Sequence, residues 1–77
     1  MKRKELAFNS QHKILDFIIK MEKETDAYVI EDFDGYLRVN AHSINGVLYA
    51  ARDFDELYLV NNTNPGSFPD FVEEFKN

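Results

Sequence analysis

The longest amphipathic pattern in the chain covers residues 11–24 and predicts the first helix. Six apolar residues form a stripe at helical spacing: Ile14, Leu15, Phe17, Ile18, Ile19 and Met21. Ser10 precedes the stripe, and its hydroxyl can accept a hydrogen bond from a first-turn amide, so we expect it to be the N-cap. Asp16 and Lys20 stand four apart on the polar face, in the favourable order. We expect Ile18 to be buried.

Two short runs, residues 4–8 and 56–61, predict the first and last strands. Their apolar residues alternate with period two, as expected when one face of a sheet is buried: Leu6 and Phe8, then Leu57 and Leu59.

The middle of the chain predicts a β-hairpin. Residues 27–33 are rich in β-forming side chains. Asp34-Gly35 follows them, and this pair favours a type I′ turn because that turn needs positive φ at both central positions. Residues 36–41 are the expected return strand, with three residues on one face: Leu37, Val39 and Ala41.

A second, shorter helix is predicted from Ser43, as N-cap, to about Ala51. The expected apolar face follows i, i+3, i+4, i+7 spacing: Ile44, Val47, Leu48 and Ala51. Gly46 lies within this helix and lowers its intrinsic stability by about 1 kcal/mol relative to alanine.

The C-terminal segment predicts a third helix. Ser67 and Asp70 have the spacing of a capping box. Four apolar residues follow a helical stripe: Phe68, Phe71, Val72 and Phe75. Of these, we expect Phe71 to be buried.

The order of elements is β-α-β-β-α-β-α, which indicates one α+β domain over residues 1–77. One apolar face on each helix predicts three helices on one side of a four-stranded, mostly antiparallel sheet. The other face of the sheet is then expected to be solvated.

Composition and charge exclude several kinds of site. The chain has 77 residues, no cysteine, two histidines and a net charge of −5. Without thiols it has no disulfide, thiol nucleophile or cysteine-based metal site, and His12 and His42 show no metal-binding spacing. An acidic chain is poorly suited to phosphate backbones, so we expect no nucleic-acid partner. No apolar run approaches the roughly 18 residues of a membrane span. We therefore expect a cytoplasmic protein with no membrane insertion, no metal and no cofactor.

The stretch Val39-Asn40-Ala41-His42-Ser43-Ile44-Asn45-Gly46-Val47 joins the hairpin to the second helix. Together with the order of elements over residues 4–76, it resembles HPr, the histidine-containing phosphocarrier of the bacterial sugar phosphotransferase system. Members of that family carry Ser-Ile, a variable residue, and Gly-Val or a near equivalent here. The resemblance implies an open-faced β-sandwich with strand order 1-4-2-3. It also implies a phosphoacceptor histidine where the first strand meets the first helix, and a regulatory serine that opens the second helix.

His12 lies near the position of the phosphoacceptor, but its surroundings depart from the family pattern. The family reads His-Ala-Arg-Pro, whereas this chain reads His12-Lys13-Ile14-Leu15 and lacks both the arginine and the proline. Lys13 can replace the charge of the arginine, but without its planar fork. If Ser10 is the cap, His12 lies inside the first helical turn. We favour an exposed surface residue over a phosphoacceptor.

The helix opened by Ser43 allows two interpretations. Capping alone explains a serine there, and the resemblance implies regulatory phosphorylation, which is compatible with capping. Ile44, Val47 and Leu48 are either core residues or, as the resemblance implies, part of a surface that meets partner proteins. Asn45 is then expected to point outward.

Three functional hypotheses follow. The first is a degenerate HPr-like regulatory protein, monomeric and not an enzyme, that docks a protein partner such as a phosphotransferase component. Its partner-binding residues are expected to be Lys13, Ile44, Asn45, Val47 and Leu48. The second is an active phosphocarrier that accepts phosphate on His12 from enzyme I. The third is a structural interaction module that resembles HPr by convergence, since a fold does not fix a function.

Overall fold

The computed structural model describes residues 2–76. Its strands are β1 (Lys4–Leu6), β2 (Tyr28–Asp32), β3 (Arg38–Asn40) and β4 (Leu57–Asn61), and its helices are α1 (Gln11–Met21), α2 (Ile44–Asp53) and a 3₁₀ helix (Asp70–Phe75). The strands form one sheet in the order β1-β4-β2-β3, and all neighbours are antiparallel. The predicted α+β class, element order and four-stranded antiparallel sheet are confirmed. The strand order is the one that the resemblance to HPr implies.

All three helical segments pack on the same face of the sheet. Their buried side chains join the inward-facing strand residues in one core: Leu6, Phe17, Met21, Tyr28, Ile30, Leu37, Ala41, Val47, Ala50, Leu57, Leu59, Val72 and Phe75. At its centre the rings of Phe17 and Phe75 meet edge to face, with centroids 5.3 Å apart. This geometry is favourable for aromatic pairs, and it ties α1 to the C-terminal helix.

Helix α1 begins where the sequence predicts, but the side that it buries differs from the predicted one. The Ser10 hydroxyl accepts a hydrogen bond from the Lys13 amide at 3.2 Å, which confirms the N-cap. Phe17 and Met21 are fully buried, whereas Ile18 is only partly buried, so its predicted burial is wrong. Six apolar residues in an 11-residue helix exceed what one face can cover, and the sheet receives the side that carries the largest side chain.

The β2–β3 connection differs from the predicted type I′ turn. Gly35 has φ +80°, but only glycines have positive φ within residues 2–76, so Asp34 does not adopt the conformation that a type I′ turn needs. Instead the Gly35 amide donates to the Asp32 carbonyl at 3.3 Å, and the Asp32 carboxylate accepts from the Leu37 amide at 3.0 Å. The loop is therefore longer than the predicted two-residue turn, and β3 begins at Arg38 instead of residue 36.

The C-terminal segment forms a 3₁₀ helix, and the predicted capping box is wrong. Pro69 occupies the N-cap position without a side-chain cap. Instead, the side-chain amide of buried Asn61 donates a hydrogen bond to the Ser67 carbonyl at 2.9 Å. Phe71 is only partly buried, contrary to expectation, because Val72 and Phe75 take the inward positions.

The outer face of the sheet is not simply solvated. Glu31 lies on it and is only 3% exposed. Its carboxylate contacts Arg38 of β3 at 2.8 Å and Arg3, next to β1, at 3.5 Å. The Arg3 guanidinium also lies 4.0 Å from the centre of the Tyr58 ring. Two arginines from opposite edges therefore cover one carboxylate at the centre of this face.

Candidate functional site

The N-terminus of α2 is the best-defined part of the candidate site. The Ser43 hydroxyl accepts a hydrogen bond from the Gly46 amide at 3.1 Å, which confirms Ser43 as the N-cap. The Asn40 carbonyl accepts from the Ser43 amide at 3.0 Å, and the Asn40 side chain accepts from the His42 amide at 2.8 Å. These bonds fix the start of α2 directly to the end of β3.

Gly46 explains how α2 approaches the sheet so closely. A Cβ atom at this position would lie 3.2 Å from the Asn40 carbonyl oxygen and 3.2 Å from the Cβ of Val39. Both distances are tighter than ordinary van der Waals contact. The glycine therefore lets the first turn of α2 rest on the end of β3, which offsets its low helix propensity.

Helix α2 is rotated relative to the predicted apolar face. Val47 and Ala50 are completely buried, while Ile44 is 56% exposed and Leu48 is 37% exposed. The prediction that Ile44 and Leu48 share a core-facing stripe with Val47 is therefore wrong. Ile44 and Leu48 are thus accessible at the surface, whereas Val47 is buried, so its predicted place in a partner-binding surface is wrong. Asn45 is exposed, as expected for a residue that points outward.

The two exposed residues of α2 continue an apolar surface on α1. Leu48 lines a groove with Ile14, near the start of α1. Ile44 lines a second groove with Ile18, near the end of α1. The helices therefore run antiparallel, and Ile14, Ile18, Ile44 and Leu48 form a seam that we call the α1–α2 patch. The two residues on α1 are half-buried and form its floor.

His12 lies at the other end of the helix pair from Ser43. It is the second residue of α1, exposed, and within residues 2–76 its ring forms no hydrogen bond. The first turn of α1 neighbours Leu48 and Arg52, near the end of α2. The structure thus does not bring the two predicted functional residues together.

Lys13 does not turn towards His12. Its ammonium group donates to the Glu74 carbonyl at 3.3 Å and lies 5.4 Å from the centre of the Phe75 ring. It therefore contributes to packing between α1 and the C-terminal helix. Lys13 lines neither groove of the α1–α2 patch.

His42 has a structural environment that the sequence did not indicate. Its Nε2 lies 2.9 Å from the Asp26 carbonyl oxygen, and its ring centre is 6.2 Å from that of Tyr28. Burial raises the pKa of Tyr28, and the charges of Glu24 and Asp26 raise it further. The contacts connect the loop before β2 to the start of α2. Within residues 2–76, no three histidine or acidic side chains form a group that could hold a metal ion.

The cluster of Arg3, Glu31 and Arg38 was not predicted from the sequence, although the hairpin pattern contains part of the information. A hairpin centred between Asp34 and Gly35 pairs Glu31 with Arg38, and this is the register observed. Opposite charges on directly paired residues stabilise neighbouring strands. The partner from the other edge, Arg3, follows from the β1–β4 pairing, which the local sequence does not specify.

Comparison of the chain with protein-family models, curated proteins and solved structures finds no match. Among the described residues no helix has the length and apolar character needed to cross a membrane.

Proposed function

We propose that the protein is an HPr-like protein-binding module that docks a protein partner through the α1–α2 patch. The observation that carries the proposal is the exposure of Ile44 and Leu48 on a helix whose core contacts are made by Val47 and Ala50. Exposed aliphatic residues beside a half-buried apolar floor are typical of a protein interface. The rigid connection of α2 to β3 holds them in a fixed position, which lowers the entropic cost of binding.

Support for the HPr-like character comes from three features taken together. These are the element order, the strand order β1-β4-β2-β3, and a serine that caps the second helix of the pattern. On this proposal the partner is a component or regulator of a phosphotransferase system, and the protein acts as a cytoplasmic monomer without enzymatic activity.

Ser43 is the proposed regulatory position. A phosphate there would meet the unpaired first-turn amides and the favourable end of the helix dipole, so α2 would remain folded. The same charge would lie next to Ile44 and would disfavour the approach of an apolar partner surface. Regulation would therefore act on docking and leave the fold unchanged.

The alternative is an active phosphocarrier that uses His12. A phosphorylated imidazole needs nearby donors that hold the new charge. Here Ser10 occupies the cap, and the Lys13 ammonium group contacts Glu74 instead. We therefore propose that His12 does not carry phosphate. A third candidate, an interaction module unrelated to phosphotransfer, uses the same patch and differs only in its partner.

Titration of the ¹⁵N-labelled protein with unphosphorylated enzyme I tests the docking proposal. We expect amide shifts concentrated at residues 43–48 and on the adjoining face of α1. Ser43→Asp should weaken binding, whereas Ser67→Asp should not, because both replace a serine by a negative charge but Ser67 is exposed and lines neither groove of the patch. Shifts confined to other surfaces would contradict the proposal, and so would equal weakening by the two variants.

A phosphotransfer assay separates the first two candidates. With phosphoenolpyruvate and enzyme I, we expect little or no acid-labile phosphohistidine on this protein. Rapid stoichiometric labelling that disappears in His12→Ala would establish the phosphocarrier instead. The absence of both binding and labelling would leave the unrelated interaction module as the remaining candidate.

A further inference from the structure

A second exposed surface lies at the end of the sheet where β2 ends and β4 begins. The β2–β4 register pairs Asp32 with Leu57, so the loop after β2 lies beside the loop before β4. Phe33 is 58% exposed and Tyr36 is 90% exposed, and both belong to the first of these loops. Unlike the α1–α2 patch, this surface is aromatic.

The same end of the molecule carries several exposed carboxylates. The two loops contain Asp34, Asp55 and Glu56, and the adjoining ends of β2 and α2 add Asp32, Arg52 and Asp53. The Arg52 guanidinium forms an ion pair with the Asp53 carboxylate, with Nε and Oδ1 3.5 Å apart. Within residues 2–76, the carboxylates of Asp34, Asp55 and Glu56 form no ion pair.

The protein itself shows that this aromatic surface accepts a guanidinium group. Arg3 lies with its Cζ atom 4.0 Å from the Tyr58 ring centre and 5.4 Å from the Phe33 ring centre. Its Nη1 also donates to the Phe33 carbonyl at 3.3 Å. Arginine stacks well on aromatic faces because the positive charge is attracted by the ring quadrupole. Tyr36, in the same loop as Phe33, leaves its ring open to solvent.

We propose that this surface, defined by Phe33, Asp34, Tyr36, Asp55 and Glu56, docks an arginine-rich segment of a protein partner. The aromatic rings receive guanidinium groups, and the carboxylates complement their charge. The occupant is basic because a neutral or acidic segment would leave the carboxylates without compensation. None of these five residues lines a groove of the α1–α2 patch.

The test uses a ten-residue peptide of alternating arginine and glycine, titrated into the ¹⁵N-labelled protein. We expect shifts at residues 33–36 and 53–56, and weaker binding at high salt, because exposed charges are screened. Tyr36→Ala should weaken binding by about two- to five-fold, the range for an exposed cation–π contact. Asp55→Asn should weaken it by a similar factor of about two to three.

The controls separate a specific site from general charge attraction. Asp70→Asn removes one exposed carboxylate beyond the other end of β4 and should leave binding unchanged. A peptide with glutamine in place of arginine should not bind. The proposal is overturned if Asp70→Asn weakens binding as much as Asp55→Asn, if the glutamine peptide binds equally well, or if the shifts lie elsewhere. Loss of enzyme I docking at the α1–α2 patch would not affect any of these outcomes.

Discussion

Helices α1 and α2 have the same construction and use their apolar residues differently. Each is capped by a serine hydroxyl, Ser10 in α1 and Ser43 in α2. Each also carries more apolar residues than it buries in the core. Helix α1 buries two large side chains, Phe17 and Met21. Helix α2 buries only Val47 and Ala50 and leaves Ile44 exposed.

The difference shows what anchors each helix. Helix α1 is held mainly by side-chain volume, because Phe17 contacts the rings of Phe8, Phe71 and Phe75. Helix α2 is held by a close backbone approach at Gly46 and by hydrogen bonds at its first turn. Its larger apolar residues are thus not needed by the core and remain available for a partner.

The largest expected effect is on the core side of α1. Phe17→Ala should lower the free energy of unfolding by about 3–5 kcal/mol, since it removes a completely buried ring. Urea denaturation followed by circular dichroism measures this, with Ile19→Ala as the surface control. A loss below about 1 kcal/mol would show that volume does not anchor α1.

A sharper test compares equal truncations on the two helices. Ile18→Ala should cost about 1–2 kcal/mol, below the range for a fully buried isoleucine because its side chain is half-buried. Ile44→Ala should change stability by less than about 0.5 kcal/mol, as at an exposed site. Equal losses in the two denaturation curves would mean that Ile44 belongs to the core after all.

The caps provide the next comparison. Ser43→Ala should cost about 1 kcal/mol, because the Gly46 amide loses its partner. Ser43→Asp should stay within about 0.5 kcal/mol of the parent, since aspartate also caps and suits the helix dipole. Thermal unfolding of both variants measures this. Unfolding of Ser43→Asp would rule out a charge switch at this position.

The smallest effect concerns Tyr28, which packs beside His42 at the start of α2. Burial raises the pKa of Tyr28, and the nearby charges of Glu24 and Asp26 add to the shift. The raised pKa of Tyr28 therefore adds to the free energy of unfolding. This contribution is fully present below the unfolded-state pKa of about 10, and it is lost as pH rises through the higher pKa of the folded protein. A tyrosinate absorbance titration should show a late component that is missing in Tyr28→Phe. Its persistence in that variant would assign it to another tyrosine.

Local patterns in the sequence predicted the elements and their order, and they failed where tertiary contacts decide. Both serine caps are local and were found. The sequence did not predict which side of α1 is buried. Ile18 and Phe17 fit a helical stripe equally well, and only packing against the sheet decides which of them is buried. Similarly, Gly46 appeared only as a weakness in α2, because its contact with Asn40 and Val39 requires the fold.

The candidate site was predictable in part for the same reason. The region from Ser43 to Leu48 was identified, but exposure of Ile44 depends on the rotation of α2 against the sheet. The Arg3–Glu31–Arg38 cluster needed pairings between strands far apart in sequence. Lys13 was expected near a partner surface, and its contact with Glu74 depends on where the C-terminal helix packs.

The most direct test of the docking proposal compares two exposed isoleucines. Ile44 is 56% exposed in the α1–α2 patch, and Ile19 is 60% exposed on the side of α1 that faces Phe71. By calorimetric titration with enzyme I, Ile44→Ser should weaken binding by about ten-fold, as for a residue central to an interface, while Ile19→Ser leaves it unchanged. Both variants should keep the thermal midpoint of the parent. Equal affinities for Ile44→Ser and the parent would contradict docking through α2, and no binding by the parent would contradict enzyme I as the partner.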